Sequence, residues 1–341
     1  MTAGLIWQNG VDLSTANSLR LPCRVAHCAH AGSEAAVLDA LARARQADLP
    51  LRVLGGGSNV VLPRTFEGVI LSVTDASVVL LAESAHGVRV QAGAGANWDS
   101  LIRWCAGQGW WGIENLALIP GSVGAAPVQN IGAYGQELAD VCVRVRAIER
   151  TSGTVHDLEP AECGFGYRDS RFRRSPDAWV VLAVELELAR EGVPRCDYPG
   201  VAAMLEEQGA AGRSPMELVR AISALRRQKL PDPARLPNAG SFFKNPLLRA
   251  ADFAELAARF PGLPGRADAR DVVKVPAAWL IEHCGWRGQR RGAVGVSASH
   301  ALVLVHHGGG DADDLLALAR AIMESVEARF GVVLEREPVV M

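Results

Sequence analysis

Residues 238–246 read Asn-Ala-Gly-Ser-Phe-Phe-Lys-Asn-Pro, with a hydroxyl between a glycine and two aromatics and an ammonium three positions further on. Gly240 permits a bend or a close approach of backbone to ligand. Phe242 and Phe243 bring surface that excludes water, which leaves Ser241, Lys244 and Asn245 at the edge of a dry pocket. Such a pocket suits an anionic substrate that must receive one proton. A tight turn entering a strand, with Lys244 solvated, accounts for the same nine residues equally well, so the nonapeptide alone does not separate the two readings.

Three other stretches carry chemistry. Gly55-Gly56-Gly57-Ser58-Asn59 follows an apolar segment, and consecutive glycines expose N–H groups in a nest that suits phosphate. A plain turn is the alternative. The stretch lacks the Gly-Lys-Ser/Thr of a P-loop, and neither it nor Gly93–Trp98 fits the dinucleotide fingerprint. Residues 119–135 are almost all small, Gly, Pro or amide, so their backbone can lie against an extended ligand. A nucleophile elbow is excluded there, because Pro120 stands where its first glycine belongs. Gly166-Tyr167-Arg168-Asp169 offers an arginine fork for a carboxylate, against the simpler reading of an Arg168–Asp169 surface pair. His306-His307 is a poor chelate, since adjacent strand residues face opposite ways, and no metal site is expected.

The elements that must position these groups follow from spacing. Residues 34–47 read as a helix, Leu51–Leu54 and Val69–Val73 as strands around the glycine loop. Strands are expected at Val88–Ala92, 141–149 and 179–188, a helix near 98–108, and an irregular segment from 112 to 136. Pro215–Lys229 is an amphipathic helix ended by Pro231-Asp232-Pro233. Helices near 252–260 and 276–284, a strand at Ala301–Val305, a helix at 311–329 capped by Gly331 and a strand at Val332–Leu334 complete the chain. Division at about 76 and 230 gives regions 1–76, 77–230 and 231–330, with 331–341 returning towards the first.

With 341 residues, half of them apolar, the chain can bury more than one core. Its 35 Lys and Arg against 37 Asp and Glu leave no electrostatic footprint for nucleic acid. Seven scattered cysteines without a CxxC fit a reducing compartment, and no apolar run suggests a membrane span or a signal peptide. A cytoplasmic monomer is expected.

Taken together, LRVLGGGSNVV, ENLALIPGSVGAAPVQNIGAYGQEL, ECGFGYRDSRF, KLPDP, NAGSFFKNP, AAWLIEHCGW, ALVLV and the terminal LEREP resemble the UDP-N-acetylenolpyruvoylglucosamine reductases over nearly the whole chain. The loop with Tyr198 looks like the longer subtype, in which a tyrosine loop closes over the substrate. The resemblance implies an α+β, three-domain flavoenzyme with a vanillyl-alcohol-oxidase-like FAD-binding fold and a C-terminal substrate-binding α+β domain. It implies FAD as cofactor, NADPH as co-substrate, and reduction of UDP-N-acetylglucosamine-enolpyruvate to UDP-N-acetylmuramate for peptidoglycan. By the same resemblance Ser241 is the proton donor, with Arg168 and Glu337 also catalytic. FAD contacts fall on Gly55, Gly56, Gly57, Ser58, Asn59, Ile119, Pro120, Gly121, Ala125, Val128, Ile131, Gly132 and Arg226, and substrate contacts on Tyr198, Lys229 and Asn245. Two positions depart from the family pattern. Arg20 replaces a glycine in Asn17-Ser18-Leu19-Arg20, and Pro338-Val339 follow Glu337 where an arginine is common. A flavin oxidase of the same fold is the alternative among enzymes, and a nucleotide-sugar binding module the non-enzymatic one.

Overall fold

The computed structural model describes residues 4–269 and 271–341. Contacts divide the chain into two compact units. The first holds Val25–Gly57 and Phe66–Gln228 with the N-terminal residues through Val11; the second holds Asp12–Arg24, Ser58–Thr65 and Lys229–Met341.

The first unit contains two sheets and two apolar cores, and the core of the smaller sheet also takes Ile148, Val180 and Leu182 from the larger one. The smaller sheet orders its strands Leu5–Asp12, Arg24–Ala31, Thr65–Val73, Leu51–Val53, and the last two run parallel with Leu51 opposite Val69. Its core takes Val37, Ala40, Leu41 and Ala44 from helix Glu34–Gln46, an i, i+3, i+4, i+7 stripe that faces the sheet. Ser33 caps the helix by accepting from the Ala36 N–H. The short strand Leu51–Val53 then delivers the chain to the glycine loop. The larger sheet is antiparallel, in the order Val155–Leu158, Cys142–Glu149, Trp179–Ala189, Gly87–Gly93, Val78–Glu83. Helices Trp98–Gly107 and Pro215–Lys229 share its core.

In the second unit an antiparallel sheet orders Asn238–Ser241, Val303–His306, Val294–Val296, Arg290–Arg291. Helix Ala312–Phe330 packs in the same core. It starts at an Asp311/Asp314 capping box and ends at Gly331, whose φ of 70° is the left-handed cap expected there. Arg20 also adopts a left-handed φ, 50°, so the turn keeps a glycine-type conformation without a glycine. Asn17 holds it by donating to Leu13 O and accepting from Leu21 N–H.

One expected element is absent. Val332–Leu334 is not a strand. Val332 and Leu334 are buried as core residues, and the backbone pairing comes later, where Phe243 bridges Arg336 and Val339–Val340 runs parallel to Val60–Val61. The segment from 112 to 136 is more ordered than expected. It contains 3-10 turns at Glu114–Leu116 and Val123–Gln129 and a small hairpin, Gly132–Ala133 against Gln136–Glu137. The nearby short helices Arg171–Arg174 and Val201–Glu207 carried too few turns to be read from periodicity.

Helix Glu34–Gln46 ends on Asp48 with φ 51°, Asp48 N–H bonded to Arg45 O and Leu49 N–H to Ala44 O. This is a Schellman ending with an acidic, β-carbon-bearing residue in the glycine position. Asp48→Gly removes both the left-handed strain and a negative charge at the helix C-terminus. It should stabilise the protein by about 0.5–1 kcal/mol in denaturant titration.

Candidate active site

In the first unit the glycine loop lies against the small-residue loop at backbone distance. A β-carbon on Gly55 would sit 2.6 Å from Ser122 Oγ, and one on Gly56 would sit 2.9 Å from Gly121 Cα. Gly57 and Gly121 adopt φ of 64° and 132°. The small-residue loop is fastened to helix Trp98–Gly107, since Trp98 N–H donates to Gly121 O. Ala125 and Val128 lie in the 3-10 turn that follows, and Val128 O accepts from Ser170 Oγ at 2.8 Å. Ile131 pairs through its backbone with Ala126 and Leu138. Ile119 and Pro120 enter this loop from Leu118, which is itself left-handed at φ 60°.

A second cluster gathers Gly132, Arg168, Arg226, Tyr134 and Tyr198. Arg168, left-handed at φ 52°, donates to Gly132 O and lies over the Tyr167 ring. A β-carbon on Gly132 would meet Arg168 Nη1 at 2.8 Å and Gln136 O at 3.0 Å, so a side chain there would displace the guanidinium. Asp169 bonds Arg174. Arg226, near the end of helix Pro215–Lys229, has a buried Nε with no hydrogen-bond partner. Burial pulls its guanidinium below the usual arginine range; Tyr134 and Asp99 act in the opposite sense and Arg168 in the same one. Tyr134 and Tyr198 meet edge to face at 5.1 Å. The loop carrying Tyr198 is tied down by Arg195, which bonds Asp140 and Gly135 O. A glycine cradle of exposed amides and an arginine with an unused buried donor fit a diphosphate such as that of FAD.

The second unit pairs the backbone that follows Ser241 with the stretch that carries Glu337. Ser241 sits opposite Val303, with an irregularity in register between Asn238 and Ser241 where Gly240 adopts φ 70°. Gly240 N–H is held by Asn238 Oδ1. The next three residues pair with the chain end: Glu337 N–H donates to Phe242 O at 3.0 Å, Phe243 bridges Arg336, and Lys244 N–H donates to Glu335 O at 2.8 Å. Phe242 and Phe243 are fully buried and stack edge to face. The nonapeptide is therefore a bulged strand, and Lys244 is not solvated, because its ammonium lies 2.5 Å from Glu335 Oε1. Asn245 Oδ1 accepts from Ala277 N–H and so caps helix Ala277–His283. Asn59 O accepts from Val339 N–H, while Asn59 Oδ1 is buried without a partner; Ser58 O accepts from Ser18 Oγ. Lys229 is exposed beside His300, whose imidazole is held below the usual histidine range by burial, Lys229 and Arg287.

Several residues that hold these groups gave no local signal. Buried Asn130, left-handed at φ 44°, donates to Glu137 and Gly166 O and accepts from Ala139 N–H, joining the small-residue loop to the Arg168 turn. Fully buried Asn115 donates to both Tyr134 O and Arg195 O. His306 is buried, accepts from Gly310 N–H at Nε2 and therefore donates from Nδ1 to Leu19 O. It is a structural residue, as the strand-end reading requires. Among the described residues no cluster of His, Cys, Asp or Glu could hold a metal, and no helix is long and apolar enough to cross a membrane.

Backbone against backbone leaves Gly56 no room to yield. Gly56→Ala should cost about 1–3 kcal/mol of stability. Gly107→Ala, at a helical glycine with nothing within 4 Å of a new β-carbon, should be neutral or stabilising by up to ~1 kcal/mol. Parallel denaturant melts compare them.

Residues 25–159 match the model of the FAD binding domain, and residues 232–341 match the UDP-N-acetylenolpyruvoylglucosamine reductase C-terminal domain. The UDP-N-acetylenolpyruvoylglucosamine reductase of Pseudomonas aeruginosa is 47% identical over 331 residues, covering 97% of this chain and 98% of that protein. The reductase of Azoarcus sp. is 46% identical over 96% of both. A crystal structure of UDP-N-acetylenolpyruvylglucosamine reductase from Thermus caldophilus covers 98% of each chain with a TM-score of 0.68 at 24% identity, a likeness of fold. Relatives this similar over nearly their whole length, with both domain models in chain order, place the chain in the UDP-N-acetylenolpyruvoylglucosamine reductase family, a family of flavin oxidoreductases.

Proposed function

We propose that this protein reduces UDP-N-acetylglucosamine-enolpyruvate to UDP-N-acetylmuramate with NADPH, and that it acts in the cytoplasm as a monomer. The observation that supports the reading is the short ladder between 242–244 and 335–337, which holds the stretch carrying Glu337 against the backbone that follows half-buried Ser241, over the buried rings of Phe242 and Phe243. Ser241 belongs to the motif of the family's proton donor and Glu337 to its terminal glutamate.

FAD, once bound, would supply the hydride-transfer chemistry between NADPH and the enolpyruvyl group that no side chain has. The residues handle everything else. Gly55, Gly56, Gly57, Ser58, Asn59, Ile119, Pro120, Gly121, Ala125, Val128, Ile131 and Gly132 would hold the cofactor through close backbone, with Arg226 offering its guanidinium to the diphosphate. Tyr198, Lys229 and Asn245 would hold the substrate. Asn245 would offer its amide NH₂, since its oxygen already accepts from Ala277 N–H.

As a hydride arrives at the terminal carbon, negative charge grows on the adjacent carbon and its carboxylate. Arg168 would stabilise that charge by hydrogen bonding. Its left-handed backbone and its bond to Gly132 O restrict the directions its fork can take. Ser241 Oγ–H would give its proton to the adjacent carbon and regain one from solvent. A serine hydroxyl is a weak acid, so its contribution depends on being close, dry and aimed. Glu337 as a bare anion would oppose the developing charge, so its part requires a proton or a hydrogen bond at its carboxyl. Three functional regions, with boundaries near 76 and 230, follow from the same reading.

Ser241→Ala isolates the proton step. NADPH should still bleach the bound flavin at the wild-type rate in stopped-flow absorbance. Reoxidation by the enolpyruvyl substrate should slow by about 10²–10⁴-fold. Reoxidation at an unchanged rate would remove Ser241 from the acid role.

A further inference from the structure

We propose that Asp99 is a positioning residue that holds the Ile119-Pro120-Gly121 stretch in shape for the FAD diphosphate, an inference that rests on the flavin reading of that stretch. Asp99 is the second residue of helix Trp98–Gly107, yet it does not cap that helix. Asn97 does so, accepting from Ser100 N–H. The Asp99 carboxylate instead reaches across nineteen residues, and its Oδ1 accepts from Leu118 N–H at 2.6 Å.

Leu118 is the residue in need of such a partner. It is bulky and left-handed at φ 60°, a conformation that only glycine and a few short polar residues adopt without strain. It stands directly before Ile119, Pro120 and Gly121, and Gly121 is where the glycine loop touches down at Gly56. A charge-assisted bond to the Leu118 amide is a strong local tether. If Leu118 relaxes to an ordinary φ, the direction of the chain into Pro120 changes, and so does the set of amides offered to a phosphate.

A carboxylate so near an anion site is a disadvantage unless it is compensated and useful. Compensation is visible. Asp99 Oδ2 bonds Arg103 Nε at 2.7 Å, and Arg103 in turn donates to the buried Ser223 Oγ on helix Pro215–Lys229. Ser223 lies three residues before Arg226, so the same helix carries the far end of the relay and the arginine assigned to the diphosphate. Asp99 thus joins the strained turn, its own helix and, through Arg103, the Arg226 helix by side-chain bonds.

The test is FAD affinity of the apoprotein, read by quenching of flavin fluorescence, for wild type, Asp99→Ala, Asp99→Asn and the double variant Asp99→Ala/Leu118→Gly, with apoprotein melting alongside. Asp99→Ala should weaken FAD binding by about ten- to a hundredfold, the size of a lost charge-assisted hydrogen bond. Asp99→Asn, which keeps an acceptor for Leu118 N–H, should lose clearly less. Adding Leu118→Gly to Asp99→Ala should restore much of the affinity, because glycine takes the left-handed turn without help. Wild-type affinity in Asp99→Ala would overturn the proposal. So would a loss that Leu118→Gly does not relieve, or apoprotein melting that falls while the affinity of the folded fraction stays intact. Failure of the wild-type protein itself to bind FAD would instead overturn the flavin reading beneath it.

Discussion

The backbone that follows Ser241 and the stretch that carries Glu337 are held together because residues 242–244 pair, antiparallel, with residues 335–337. Much of the second unit follows from that short ladder. Glu337 has no helix or sheet of its own to fix it, and its N–H bond to Phe242 O is what sets its place. The chain continues into Val339–Val340, which run beside Val60–Val61 and fasten Asn59 through its carbonyl. On the other side of Ser241, the bulge at Gly240 lets the strand change course before Phe242 donates to Leu302 O. Both phenylalanines are driven inward by burial worth about 1.5–3 kcal/mol each, and their burial holds the ladder taut.

The first unit answers a different demand, that of bringing two backbones within contact of one another and of a ligand. Glycines at 55, 56 and 121 make the contact sterically possible. Around them, Leu118, Asn130, Tyr134 and Arg168 all adopt left-handed φ without being glycine, and all but Asn130, which takes that region readily, carry about 1–3 kcal/mol of strain each. Such a concentration persists only where the surroundings over-determine it. Here Asp99 holds Leu118, Asn115 holds the Tyr134 carbonyl, and Asn130 spends its side chain on three partners. The buried amides are the scaffold of the site.

Much of this is legible in the sequence where the cause is local. The helix at 34–46 follows from its apolar stripe, the helix from Pro215 from its starting proline, and the Gly331 cap from a glycine after a long periodic run. The reactive positions come from motifs in a family's order rather than from chemistry visible in each one. What stays hidden is long-range. Nothing near Gly56 says that Gly121 will press against it, and nothing near Asp99 says that its carboxylate will serve Leu118. Val332–Leu334 has the composition of a strand, but strand pairing depends on where a partner edge lies, and that edge meets the chain only at 335–337. Lys244 looks like a solvated cation until the same ladder sets Glu335 beside it.

The most direct measurement is NADPH oxidation by the purified, FAD-loaded wild-type protein under anaerobic conditions, followed at 340 nm after addition of UDP-N-acetylglucosamine-enolpyruvate. Loss of NADPH in a one-to-one ratio with substrate, together with formation of UDP-N-acetylmuramate, is the expected result. NADPH that stays unconsumed without oxygen, or is consumed only when oxygen is admitted and regardless of the enolpyruvyl substrate, would contradict the assignment and favour a flavin oxidase.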